Sequence, residues 1–348
     1  MGNFRPSSAK SAEEVKDKTP FVSIVMPVRN EVGFIARSVG SALNQDYPRD
    51  RLEIIVADGR STDDTRAIVE SLQSAHPNLK LVTNPGGIAP TGLNAAIAAA
   101  RGEIIVRVDG HCEIAADYVR RCVEHLQNDG VDGVGGPIET IGETTMAKAI
   151  AAAMSSKFGV GGSAFRTIKD RTMLADTAPF PAYTRAIIER AGPFDEEMVR
   201  NQDDEYNYRL RKLGARILLA ADVKARYYSR GNFRKLIRQY FQYGCWKVRV
   251  LQKHPRQMAP RQFIPPLFVA SLICSAAVAL FTSIGPAPMV AICCLYLLAN
   301  LCASALTAGG AGWRLLPLLP IAYVSLHASY GVGFLFGLIR FAGRWRKL

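Results

Sequence analysis

The chain has 348 residues and a formal net charge of +13, room for one large domain or two of ordinary size. Its charge is unevenly placed: Tyr206 to Gln262 holds fifteen Lys and Arg against one acid, Asp222, while Phe263 to Ile339 holds a single charged residue, Arg314. A balanced domain, a basic belt and an apolar tail follow in that order, which directs the belt to an anionic membrane surface and argues against a nucleic-acid partner.

Residues 1–20 are polar throughout and have no apolar core, so they read as a disordered lead-in and not as a signal peptide. From Phe21 the pattern alternates. "FVSIVM" is a strand, and "EVGFIARSVGSALNQ" has helical spacing with Phe34, Ile35, Val39 and Leu43 on one face. "LEIIVA" is a second strand, cut off by Asp58-Gly59. "STDDTRAIVESLQSA" opens with residues suited to capping a helix. "LKLVT", the helix "PTGLNAAIAAARG" and the strand "EIIVRV" complete the series. Strands separated by such helices predict a mainly parallel sheet with right-handed crossovers. Ligands of such sheets bind outside the carboxyl ends of the strands, and Asp58 and Asp109 both stand at such ends.

Beyond Gly130 the signal is weaker. "GVDGVGGPIET" reads as a short strand and Gly-rich turn, "MAKAIAAAMSSKF" as a helix, and "GVGGSAFRTIKDRTML" as a loop shaping a substrate pocket. "DDEYNYRLRKLG" is a helix ending at Gly214, and "ARILLA" is a further strand. "FRKLIRQYFQYGCWKVRVLQK" interleaves Leu236, Ile237, Tyr240, Phe241, Tyr243 and Val248 with basic residues, the pattern of a helix lying on a membrane face; a core helix with a basic outer face is the simpler alternative. Three apolar stretches follow, at about residues 265–283, 287–306 and 315–339, each near the roughly 20 residues that cross a bilayer core. Three crossings would put the basic tail "RFAGRWRKL" on the non-cytoplasmic side, against the positive-inside rule. Pro317, Pro320 and His327 make the third stretch a candidate for a re-entrant or interfacial segment, so two to three segments are expected. The seven cysteines have no CxxC or zinc spacing and read as buried apolar residues in a reducing compartment.

The chemistry concentrates in three places. An unpaired aspartate is too costly to bury, so Asp109 belongs at its strand's mouth. Residues two apart on an extended chain point the same way, so Asp109 and His111 reach toward one point. "VSIVMPVRNE" with "VADGRSTDDT", then "VRVDGHCEI", then "NQDDEYNYRL" together resemble the inverting family 2 glycosyltransferases of the GT-A fold over Phe21 to about Lys253. Within that family the resemblance is strongest to the ExoA-type enzymes of succinoglycan and similar exopolysaccharide synthesis.

The resemblance implies a GT-A catalytic domain over 21–230, a basic amphipathic membrane-interface region over 231–262, and a transmembrane region with a basic tail over 263–348. It assigns Pro27, Asn30, Glu31 and Asp58 to the base and ribose of a nucleotide-sugar donor, with UDP-glucose expected. A tight turn is the simpler account of Asp58-Gly59, and helix capping that of residues 61–64. Asp109-Gly110-His111 matches the family's D-x-D element with histidine last. It implies a divalent metal, Mn2+ or Mg2+, on the donor diphosphate, held by Asp109 and His111. Imidazole favours manganese, and Glu113 is an alternative carboxylate. "QDDEYNYRL" places Asp203 on the family's general base, which takes the proton from the acceptor hydroxyl. Asp204 and Glu205 leave a one-residue register open, and an acid-rich helix start is the alternative reading. "QYGCW" only partly matches the Q-x-x-R-W element of processive synthases, since Cys245 stands where arginine belongs.

The expected function is therefore transfer of a single sugar, with inversion, to a lipid-linked saccharide in exopolysaccharide synthesis. The expected location is the inner membrane, multi-pass, with the catalytic domain cytoplasmic. A processive polysaccharide synthase, a sugar nucleotidyltransferase and a non-enzymatic membrane adaptor are the competing readings. The second lacks its Gly-rich phosphate loop, and the adaptor has no need of Asp58, Asp109 and Asp203 together.

Overall fold

A computed structural model describes residues 19–229, 231–282 and 285–347; most of the expected lead-in over 1–20 lies outside them. The chain divides into two compact units: unit 1 is Met1–Glu139 with Ile168–Tyr227, and unit 2 is Thr140–Thr167 with Tyr228–Leu348.

Unit 1 begins with four parallel strands: β1 (Val22–Val28), β2 (Leu52–Asp58), β3 (Leu79–Thr83) and β4 (Ile104–Arg107). They are joined through the helices α1 (Ile35–Leu43), α2 (Thr65–Ala75) and α3 (Ala89–Ala99). Helix-length crossovers force parallel pairing, and the strands lie in the order β3-β2-β1-β4. β1 and β2 are apolar runs, as a sheet covered on both faces requires.

The chain then adds β5 (Cys112–Ile114), α4 (Tyr118–Asn128), β6 (Gly133–Gly135) and β7 (Ile138–Ile141). In unit 2 come α5 (Thr145–Met154), α6 (Lys157–Val160) and α7 (Ala164–Thr167). Back in unit 1 are β8 (Met173–Leu174), β9 (Ala182–Thr184), α8 (Arg185–Ala191), α9 (Gln202–Lys212), β10 (Ile217–Leu219) and β11 (Ala225–Tyr228). β9 runs antiparallel to both β4 and β6, β10 is parallel to β6, and β8 closes the edge antiparallel to β10. The sheet is thus mixed, with its parallel half as expected. Val25, Ile55, Ala57 and Ile105 meet Leu93 and Ala96 of α3, and Tyr183, Ile187, Tyr206 and Leu210 from β9, α8 and α9, in one buried core. β5 pairs antiparallel with β11, Tyr227 opposite Cys112, in a small second sheet.

The segment expected to be a pocket loop, 159–174, instead carries the end of α6, α7 and β8, and its first nine residues belong to unit 2. An Ala-rich apolar helix such as α5 fits a catalytic core or a membrane unit equally well by composition, so its allegiance is tertiary information.

Unit 2 also holds α10 (Phe233–Lys253), α11 (Ile264–Phe281), α12 (Ala287–Ala311) and α13 (Leu319–Arg340). Three helices, Pro260–Phe281, Ala287–Ala311 and Leu319–Arg340, are long and apolar enough to cross a membrane. α13 is unbroken, so no re-entrant turn interrupts it. Pro320 falls in its first turn, where a missing N–H costs nothing. Several polar side chains of this unit find partners, as an apolar medium demands. Tyr296 Oη lies 2.9 Å from His327 Nδ1, His327 Nε2 lies 2.9 Å from Phe158 O, and Tyr323 donates to Ser156 Oγ at 3.0 Å.

α10 departs from a helix simply lying on a membrane face. Its second half is buried, including Lys247, Val248 and Arg249, because it packs along α13. The two backbones approach through glycines: a Cβ at Gly244 would lie 2.0 Å from Tyr330 O, and one at Gly333 2.1 Å from Phe241 O. The basic side chains of the first half, Arg234, Lys235 and Arg238, are exposed.

Candidate active site

The carboxyl edge of the parallel strands gathers the residues singled out from sequence. Asp58, the last residue of β2, is 1 % exposed and lies 3.6 Å from an Arg66 nitrogen. Pro27 sits one residue before the end of β1, opposite Ala57. Asn30 takes a left-handed φ of 55° and its Oδ1 accepts from the Thr62 amide at 2.8 Å. Ser61 Oγ accepts from the Asn30 amide and Asp63 from those of Val32 and Thr65. Residues 61–65 therefore clamp the loop after β1 to the start of α2. Asp64 makes no side-chain cap bond, but Asp63 accepts from the Thr65 amide at the first residue of α2, so the stretch both caps the helix and clamps the loop.

Asp109 follows β4. The backbone turns at Gly110, where a Cβ would stand 3.1 Å from Glu31 Cγ and 3.0 Å from Val28 Cγ1. That tight approach favours a residue without a side chain and brings Glu31 to the next residue. Glu31 Oε1 lies 3.0 Å from His111 Nδ1, and the Tyr227 ring meets the imidazole edge-on at 5.2 Å. Glu31, assigned from resemblance to the nucleotide, thus holds the imidazole. A carboxylate on one ring nitrogen fixes the tautomer and offers the other nitrogen outward, the support that metal-bound histidines usually have.

The donor atoms of Asp109, His111 and Cys112 lie within 4.8 Å of one another. The carboxylate suits Mn2+ and Mg2+ alike, and the imidazole favours Mn2+. Cys112 adds little, because burial first, and then the nearby Asp109 charge, push its thiol pKa well up and keep it protonated. Glu113 is not in this group and pairs with Arg37 at 3.8 Å.

The third motif opens α9. Asn201 precedes it with φ 59°, and Asp203, Asp204 and Glu205 fill the first turn. Glu205 is buried and paired with Arg209 at 2.9 Å, and Tyr206 stacks on Phe194. Asn207 bonds Thr177 and Tyr183 and anchors the helix to β9. These contacts fix α9 so that Asp203 faces Arg107, the last residue of β4. Arg107 Nε and Nη2 donate to Asp109 Oδ1 at 3.0 and 2.9 Å, while Nη1 meets Asp203 Oδ1. One buried guanidinium therefore joins the second and third motifs. No motif read from the sequence gives Arg107 a role; an arginine two residues before a strand-end aspartate was the available signal.

A mixed sheet flanked by helices, with acids at the carboxyl edge of its parallel half, is the GT-A architecture of nucleotide-sugar transferases. The mannosyltransferase PcManGT from Pyrobaculum calidifontis, in complex with GDP-Man and Mn2+, superposes with a TM-score of 0.57 at 23% identity, covering 92% of this chain and 88% of that one. The family model for glycosyl transferase family 2 matches residues 23–191. The chain is 30% identical over 335 residues to the succinoglycan biosynthesis protein ExoA of Rhizobium meliloti, spanning 92% of this chain and 96% of that protein. It is 31% identical over 241 residues to a dolichyl N-acetyl-alpha-D-glucosaminyl phosphate 3-beta-D-2,3-diacetamido-2,3-dideoxy-beta-D-glucuronosyltransferase of Methanococcus voltae, 67% of this chain and 74% of that protein. The chain belongs to glycosyltransferase family 2 and is a transferase.

Proposed function

We propose that the protein transfers one sugar, with inversion, from a nucleotide-sugar to a lipid-linked saccharide in exopolysaccharide synthesis. The observation that carries this reading is the convergence of Asp58, Asp109 and Asp203 at one edge of the sheet of unit 1, with Asp109 and Asp203 on a shared arginine. Asp58, with Pro27, Asn30 and Glu31 around the same strand ends, marks the nucleotide side, and UDP-glucose is the expected donor. Asp109 and His111 would hold Mn2+ or Mg2+, which supplies charge to the donor diphosphate. Asp203, on a separate helix start, takes the proton from the acceptor hydroxyl as that oxygen attacks the anomeric carbon. Single addition, and not processive synthesis, is favoured by Cys245, which is buried within unit 2 where a processive enzyme's motif has arginine. A lipid-linked acceptor agrees with the dolichyl phosphate sugar in the name of the Methanococcus relative. The basic belt beside three apolar helices supports a cytoplasmic catalytic domain held at the inner membrane.

The test is the full chain in detergent, given a panel of labelled nucleotide-sugars and membrane-lipid acceptors, with Mn2+, with Mg2+ and with excess EDTA. One donor should yield a lipid-soluble product longer by one sugar, with inverted anomeric configuration, only when metal is present. Full transfer in EDTA refutes the metal assignment, long polymer refutes single addition, and no turnover or binding across the panel refutes the enzyme reading.

A further inference from the structure

Arg107 is only 7 % exposed and contacts both acids to which the proposed mechanism gives work. A guanidinium stays charged in any protein environment and presents its donors in a rigid plane. Here two of its nitrogens go to one oxygen of Asp109, Oδ1, and the third goes to Asp203. Among the described residues, Asp203 Oδ1 is buried and has no hydrogen bond apart from this ion contact. The orientation of Asp203 therefore depends on Arg107. Asp109 differs: both bonds fall on Oδ1, so its other oxygen is left for another cation.

We propose that Arg107 is a positioning residue with two opposed effects: it orients Asp203 for the acceptor, and it competes with the divalent cation for Asp109. The proposal rests on the assignments of Asp109 and Asp203 given above. A cation arriving at Asp109 meets a carboxylate already partly neutralised and a fixed positive charge beside it. Both weaken its binding. The same charge keeps the two carboxylates from repelling each other while the site is empty of metal. Once Asp109 is occupied by a divalent ion, Arg107 is drawn toward Asp203. Loading of the donor side thereby firms up the base on the acceptor side.

This predicts opposite signs for one substitution. Arg107→Met in the full chain should bind Mn2+ alone at least about tenfold more tightly, the direction and minimum size expected from removing a unit charge a few ångströms away. Sugar transfer at saturating Mn2+ should fall roughly 100-fold, mainly in kcat, as for loss of an oriented base. Arg107→Lys restores the charge without the fork. It should keep wild-type Mn2+ affinity while losing about tenfold in kcat, so the proposal stays testable if the methionine variant does not fold. Mn2+ binding is read by the EPR signal of the free ion, which requires no turnover. Unchanged Mn2+ affinity in Arg107→Met, or full turnover in either variant, overturns the proposal. Asp109→Asn separates it from the reading beneath: if that variant binds Mn2+ as well as wild type, the metal assignment itself has failed.

Discussion

Acids stand at both ends of the parallel strands, and the two ends treat them in opposite ways. At the starting end, Glu53 of β2 is 1 % exposed and surrounded by donors. Ser23 Oγ reaches it at 2.7 Å, Lys80 Nζ at 2.8 Å, and the Arg101 amide at 2.7 Å, with the Arg101 guanidinium behind. At the carboxyl end, Asp109 and Asp203 share the single guanidinium of Arg107. Donors outnumber acids at one end, and acids outnumber cations at the other. A carboxylate with every lone pair satisfied is a structural tie. Carboxylates short of partners attract cations and accept protons, which is what the proposed transfer asks of them.

The sharpest way to break that contrast is to remove each acid's charge while keeping its shape. Asp203→Asn should lower transfer by roughly 10²–10⁴-fold, the usual cost of losing a general base. Nucleotide binding should survive, because Asp58 and the loop after β1 are untouched. Asp204→Asn should cost far less. The measurement is steady-state transfer with the donor identified in the panel. If Asp204→Asn is inactive and Asp203→Asn is active, the base lies one residue further along α9.

Glu53→Gln should do the reverse. The amide still accepts from Ser23 and Arg101, but it turns donors toward Lys80 and loses the charge. We expect a loss of about 1–3 kcal/mol in stability, the range for a charged hydrogen bond left imperfectly matched. Transfer by the folded protein should be unchanged. The pH dependence adds a second reading. Burial raises the Glu53 pKa, but the bonds from Lys80, Arg101 and Ser23 outweigh it and hold the carboxyl below its ordinary value of 4.5. A depressed carboxylate stabilises the fold above that ordinary value, and the contribution disappears as pH falls through the folded-state value. Thermal melts of wild type and Glu53→Gln should therefore converge in acid. A Glu53→Gln protein that is folded yet inactive would erase the distinction between the two ends.

Much of the parallel half was legible in the sequence because its signals are local. "LEIIVADG" and "EIIVRVDG" are apolar runs stopped by Asp-Gly, and the intervening segments are helix-length. Asp58 and Asp109 could be nominated from residue type and strand-end position, and Asp203 from the family resemblance of its stretch. Their surroundings could not. Arg107 meets Asp203 across 96 positions of sequence, and Glu31 meets His111 across 80, so neither contact leaves a local trace. The antiparallel strands β8 and β9 are two and three residues long, too short for any period to show. In unit 2 the glycines of "GVGFLFG" did carry a readable signal. Gly333 and Gly337, four apart on one helix face, let α13 approach α10 closely. That spacing marks a packed helix, whereas the basic residues of α10 alone suggested one lying on a surface.

A third arrangement in unit 1 separates the effect of sharing a cation from the effect of a permanent charge. His125 of α4, like Arg107, stands between two acids: Nδ1 lies 2.6 Å from Asp129 and Nε2 lies 2.8 Å from Asp222. Arg121, 3.7 Å from Asp222, also faces this cluster. Unlike arginine, the imidazole can lose its proton. Burial disfavours its charge, yet the two carboxylates outweigh burial and raise its pKa above the ordinary 6.5. A raised imidazole stabilises the fold fully below its unfolded value and loses that contribution as pH rises through the folded one. His125→Asn should therefore destabilise most at pH 5–6, and the deficit should shrink above neutrality. The effect should be small, under about 1 kcal/mol, because Asp222 is 40% exposed and Arg121 remains to pair with it. Melting temperatures of wild type and variant, measured across pH 5 to 9, check the sign. A deficit that grows with pH would mean that His125 is neutral in the folded protein. Arg107, and not His125, would then hold its two acids with a charge.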